Sequence, residues 1–190
     1  MNYRNYINEV TIDTNPELQN FFNMAIKQVF SAQYVQKIDR ILKRSIRIKE
    51  KSERPGVVAF NDGGSTIFIN PDEFYKREKK VQIKYILHEF IHILQRKKGF
   101  ILRKFKEMKK VTNELNSVLN KYLKKPLSVF LTGKNQKLGA GAKWEILSYF
   151  MNDSINWGAI SSEGKAAIIK VLQNSQIFNL NHPFWKKRLS

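Results

Sequence analysis

Two histidines four residues apart, with an acid between them, sit inside an otherwise apolar run: Ile86-Leu87-His88-Glu89-Phe90-Ile91-His92-Ile93-Leu94. No other feature of the chain constrains its fold as much. A helix turns about 100° and rises about 1.5 Å per residue, so His88 and His92 project from one face, about 6 Å apart along the axis. Apolar residues on every other side require that helix to be buried. Two imidazoles so placed can share one tetrahedral metal ion, and Glu89 stands beside them to take a proton from water activated there. The alternative is a pair of core histidines satisfied by backbone carbonyls. The chain has only three histidines, and two fall here with the glutamate between them. Gln95-Arg96-Lys97-Lys98-Gly99 then supplies cations for a last turn and a glycine beyond it, the usual signs of a helix end.

This HExxH segment with its apolar flanks resembles that of the zincin metallopeptidases. The resemblance implies zinc, one ion per chain, held by His88 and His92, with Glu89 as general base in peptide hydrolysis. A catalytic zinc takes a third protein ligand. The acids and histidine that follow are Glu107, Glu114, Glu145, Asp153, Glu163 and His182. Glu107 and Glu114 lie among lysines, where solvated ion pairs are the expected fate. Glu145 lies in Ala142 to Met151, an apolar helical stretch where a lone carboxylate is costly to bury without a partner. Glu145 is therefore the first choice and His182 the second. A His-His-Glu set resembles the gluzincin arrangement, although the span from His92 to Glu145 is longer than in its simplest members. No histidine lies between His92 and His182, so the histidine-rich extension of metzincins is absent.

Further roles are assigned to fewer signals. Asp153, two turns past Glu145, is a candidate to orient a ligand imidazole, or else a surface cap. His182, Tyr149 and Tyr122 are candidates to donate a hydrogen bond to a tetrahedral oxyanion, or else structural side chains. In the zincins an edge strand just before the active-site helix pairs with extended substrate. Here that position falls to Thr66, Ile67, Phe68, Ile69 and Asn70, whose unpaired backbone groups would bind a protein or peptide substrate.

Composition sets the remaining bounds. At 190 residues the chain is read as a single domain, with helices, strands and the HExxH helix in residues 1–99 and a helical part carrying the third ligand in 100–190. Cysteine is absent, so a metal must be held by nitrogen and oxygen. Met1 to Tyr6 has no apolar run behind it, which reads as no signal peptide, and no stretch is long enough to span a membrane. Cytoplasmic residence is the default expectation, with delivery in a phage particle or by a signal-independent route left open. The net charge is +18, densest from Arg96 to Lys110, where eight basic residues accompany one acid. Such a face attracts nucleic acid or an anionic envelope polymer, or is simply solvated. Gly133-Lys134 and Gly141-Ala142-Lys143 fail phosphate-loop spacing. The second reading of the chain is accordingly a basic binding or structural module on a zincin fold.

Along the chain, Pro16 opens a helix with the stripe Leu18, Phe21, Phe22, Ala25, Ile26, Val29 and Phe30, and a second helical piece runs through Tyr34, Val35, Ile38, Ile41 and Leu42. Ile46 and Ile48 alternate with basic residues as in a strand. Glu53 to Gly56 is a turn, and Val57–Phe60 and Ser65–Ile69 flank Asn61-Asp62-Gly63-Gly64 as a hairpin. Ile101 to Lys125 is an amphipathic helix, Leu127 to Lys143 a glycine-containing loop, Gly164 to Gln173 a further helix, and Trp185 to Arg188 a basic tail. The fold class expected is α+β and zincin-like. A small mixed sheet with its hairpin would pack on the HExxH helix, followed by a mainly helical C-terminal half.

Overall fold

The computed structural model describes residues 16–42, 46–52, 56–61, 65–95, 105–135, 137, 141–150 and 155–190. These form a mixed α and β structure, mostly helical, with one three-stranded sheet. Helix α1 (Pro16–Val29) begins at the proline, whose fixed φ suits the first helical position. Its buried face is Leu18, Phe22, Asn23, Ala25, Ile26 and Val29, the predicted stripe with Asn23 added and Phe21 only half-buried. Phe22 meets Phe90 edge-on at a centroid distance of 4.9 Å, which seats α1 on the HExxH helix. Helix α2 (Ala32–Leu42) follows a break at Phe30 and Ser31.

The sheet comprises β1 (Arg47–Glu50), β2 (Ala59–Asn61) and β3 (Thr66–Ile69) in the order β1-β3-β2. β2 and β3 pair antiparallel, as the hairpin reading required, and β1 pairs parallel to β3, so the sheet is mixed. Ile46, Ile48, Ile67 and Ile69 are buried beneath it, in keeping with the period-two alternation. β3 is the central strand. The expectation that Thr66 to Asn70 form an edge is therefore corrected: Thr66 to Ile69 pair with β1, Ile67 to Ile69 also pair with β2, and Asn70 N–H donates to the Val58 carbonyl at 2.9 Å. Among the described residues the edges belong to β1 and β2.

Asn70 does not lead straight into the HExxH helix. Its side chain accepts from Asp72 N–H at 3.2 Å and caps a one-turn helix, α3 (Pro71–Phe74). Helix α4 (Lys79–Leu94) then carries the motif. It is the centre of the molecule, with α1, strands β2 and β3, and the helix bearing Glu145 packed around it.

The C-terminal half is helical, with α5 (Lys106–Tyr122), α6 (Leu127–Thr132), α7 (Ala142–Phe150), a 3₁₀ turn at Trp157–Ala159, α8 (Ser162–Ser175) and α9 (Pro183–Leu189). α5 buries Met108, Val111, Thr112, Leu115 and Leu119, with lysines outward. Two readings are corrected here. The glycine-containing loop begins with α6, because Phe130 and Leu131 are wholly buried and Gly133, at φ 71°, ends the helix in the left-handed region. The basic tail is α9, because Trp185 among the cations is wholly buried and its Nε1 donates to the Val29 carbonyl at 2.8 Å. Burying an indole of about 200 Å² contributes roughly 5 kcal/mol before ordering entropy, enough to dock a seven-residue helix on α1. Arg188 adds a tie, its Nε donating to the Phe150 carbonyl at the end of α7 at 2.9 Å. Among the described residues no helix is long and apolar enough to cross a membrane.

Candidate metal centre

Helix α4 is apolar on nearly all sides over its last two turns, with Ile86, Leu87, Phe90, Ile91, Ile93 and Leu94 buried. Packing against α1, the sheet and α7 thus fixes which way its two imidazoles face. His88 Nε2 and His92 Nε2 are 3.2 Å apart, with their rings crossed at 80°. Glu145, from the first turn of α7, brings Oε2 to 3.3 Å from each nitrogen. These three residues are the described group able to hold a metal ion.

The triangle has sides of 3.2, 3.3 and 3.3 Å. A tetrahedron with centre-to-corner bonds of about 2.0–2.1 Å, the length of zinc bonds to imidazole nitrogen and carboxylate oxygen, has edges of about 3.3–3.4 Å. The donor atoms therefore match one face of a zinc tetrahedron in edge length. Two nitrogens and one oxygen also suit a borderline cation such as zinc.

The charges around this triangle are mutually tuned. Burial opposes ionisation of Glu145, but hydrogen bonds from His88 and His92 and their positive charge outweigh it and bring its pKa down to about 2. Burial likewise disfavours charged His92, yet the Glu145 hydrogen bond and charge, with contributions from Glu89 and Gln95, hold the imidazole above its ordinary value. Glu89 responds mainly to burial, which pushes its carboxyl up. The two histidines and the Asn61 N–H pull it back in part, and Glu145 adds to the rise. A raised pKa makes this carboxylate a stronger base than a surface acid. Its tie to Asn61 also links it to the last residue of β2.

Tyr149, one turn beyond Glu145, sets its ring edge-on to His88 at 5.8 Å. Burial and then the Glu145 charge raise its phenol pKa, so it stays a hydrogen-bond donor. Ser148, wholly buried, brings Oγ to 3.5 Å from His92 Nε2. Sequence reasoning passed over this serine, although its i+3 spacing from Glu145 was a signal. Gln95, also passed over, is buried one turn after His92 and donates to Thr112 Oγ1 at 3.0 Å.

Other sequence candidates lie elsewhere. His182 is not in the triangle. Its Nδ1 accepts from Phe184 N–H at 3.1 Å as the N-cap of α9, which packs on α1, so the structure supports neither its ligand nor its oxyanion role. Glu107 pairs with Lys37 and Glu114 with Lys110, the fates expected of them. Tyr122 packs at the end of α5 against Gly164 of α8. Asp153 lies outside the described residues. Thr66 to Asn70 are in the sheet centre, and the strand at the sheet edge beside α4 is β2. A cavity of about 690 Å³, lined in part by Gln33, Lys37, Arg40, Glu107 and Gln176, shares none of the triangle's residues.

No family model matches the chain, and neither does any curated protein or any solved structure.

Proposed function

We propose that this chain is a zinc-dependent metallopeptidase of gluzincin type, with His88, His92 and Glu145 as the metal ligands and Glu89 as general base. The observation that carries the reading is the triangle of donor atoms, matched in edge length to a zinc tetrahedron, with the raised carboxyl of Glu89 beside it. Zinc, when bound, supplies a Lewis acid that acidifies water and polarises a carbonyl.

The chain's own groups do the rest. Glu89 takes a proton from the attacking water as its oxygen bonds to the peptide carbonyl carbon, and returns it to the nitrogen as the C–N bond breaks. Tyr149 donates to the carbonyl oxygen as it gains charge, a role suited to a phenol that stays protonated. An extended protein or peptide substrate runs along β2 rather than β3, because β2 is the edge strand tied to Glu89 through Asn61.

The second reading, a basic module binding nucleic acid or another anionic polymer, draws on the +18 charge and on exposed Lys106, Lys109, Lys110 and Lys121 of α5. A buried general base beside the triangle has no use in a purely structural site, which favours the peptidase. Salt-dependent binding without proteolysis would favour the module.

Glu89→Gln tests the mechanism. It is expected to retain about one zinc per chain while hydrolysis of an unfolded protein substrate falls by about 10²–10⁴-fold. Full activity in that variant overturns the mechanism.

A further inference from the structure

An imidazole that turns the lone pair of Nε2 towards a shared cation carries its proton on Nδ1, and that N–H requires an acceptor. His92 turns Nε2 into the triangle, 3.3 Å from Glu145 Oε2, so its Nδ1 faces the other way. The residue one turn further on is Gln95, with 3% of its surface exposed.

The orientation of the Gln95 amide follows from its neighbours. Thr112 Oγ1, on α5 and wholly buried, donates its single proton to the Met108 carbonyl at 2.9 Å. It can then only accept from Gln95, so the end of the amide 3.0 Å away must be Nε2. Oε1 is left on the opposite side, buried, with no hydrogen-bond partner among the described residues. Gln95 follows His92 by three residues at the end of α4, so the two side chains are neighbours on one helix face.

We propose that Gln95 is the positioning residue of His92. Its Oε1 accepts the Nδ1 proton, and Thr112 holds the amide so that it cannot turn its NH₂ to the ring. This inference rests on the zinc reading above. It assigns to a neutral amide the work that sequence reasoning gave to Asp153. The relay Met108 carbonyl, Thr112 hydroxyl, Gln95 amide and His92 ring fixes the tautomer without adding charge, and it couples α5 to the metal centre.

The test is zinc affinity, by competition with a chromogenic chelator, alongside the melting temperature of the metal-free protein. The proteins compared are wild type, Gln95→Leu, Gln95→Glu and Thr112→Val. Gln95→Leu is expected to weaken zinc binding about 10–100-fold, the range for lost partners of a ligand imidazole. Gln95→Glu keeps an acceptor and is expected to recover most of that loss. Thr112→Val frees the amide to rotate and is expected to fall between wild type and Gln95→Leu. If Gln95→Leu does not fold, Thr112→Val carries the test against wild type. Unchanged zinc affinity in the folded variants overturns the inference, even where the metal-free melting temperature drops, because that pattern is packing alone. Wild type that binds no zinc removes the metal reading itself. Wild type with one zinc and an indifferent Gln95→Leu removes only the role of Gln95.

Discussion

Lowering the pH should loosen the metal in a way the geometry makes calculable. His92 is held above its ordinary pKa mainly through Glu145, and its Nε2 is one corner of the triangle. Below that raised pKa the nitrogen carries a proton that zinc must displace, so affinity falls at least tenfold, or 1.36 kcal/mol, for each pH unit. Glu145, with a pKa of about 2, stays ionised through the range and contributes no slope there. Glu89, raised above the ordinary carboxyl range, loses its charge earlier than a surface acid and deepens the loss. For the metal-free protein the sign is opposite. The raised pKa of His92 adds stability that is present below its unfolded pKa of about 6.5 and is lost as pH rises through the folded value. Unfolding entropy for 190 residues is about 0.4 kcal/mol per K. The rise in melting temperature caused by a fixed excess of zinc should therefore shrink by about 3 °C per pH unit once pH passes below the His92 pKa. Calorimetry with and without zinc from pH 8 to 5 measures this. A zinc increment that stays flat over that range refutes the coupling of His92 to the metal.

Two further substitutions separate chemistry from scaffold. Tyr149→Phe keeps the ring against His88 and should leave zinc affinity unchanged, while peptide turnover falls about 10²-fold; full turnover would remove its role as donor. Gly164→Ala places a Cβ 2.5 Å from Tyr122 Cβ and 2.6 Å from Ile160 Cγ1. Overpacking of about 2–3 kcal/mol, less about 1 kcal/mol of helix propensity, predicts a melting temperature lower by roughly 3–5 °C with zinc content unchanged. A variant melting at or above wild type would show that α5 and α8 can separate without loss.

What was legible in the sequence was local. His88 and His92 are one helical turn apart, so their shared direction follows from the spacing alone, and Glu145 stands out as a lone acid in an apolar stretch. The β2–β3 hairpin is local too. The place of β1 is not: a parallel strand beside β3 is joined to it through the whole of β2, and nothing in Ile46 to Lys49 says which side of the hairpin it takes. The edge expected at Thr66 to Asn70 comes from the resemblance alone, which does not say where β1 pairs. Helix α6 was obscured by the glycines that follow it, and α9 by the cations around Trp185, whose partner, the Val29 carbonyl, is far away in the chain. Gln95 reads in sequence as the start of a polar helix end. Only Thr112, on another helix, reveals what its amide does.

Zinc content per chain, by elemental analysis of wild type and Glu145→Ala after reconstitution and removal of loosely bound metal, tests the centre of this account. About one zinc in wild type and a clear loss in Glu145→Ala is the expected result. A wild-type protein that holds no zinc would contradict the metallopeptidase reading, and a variant that keeps its zinc would contradict Glu145 as the third ligand.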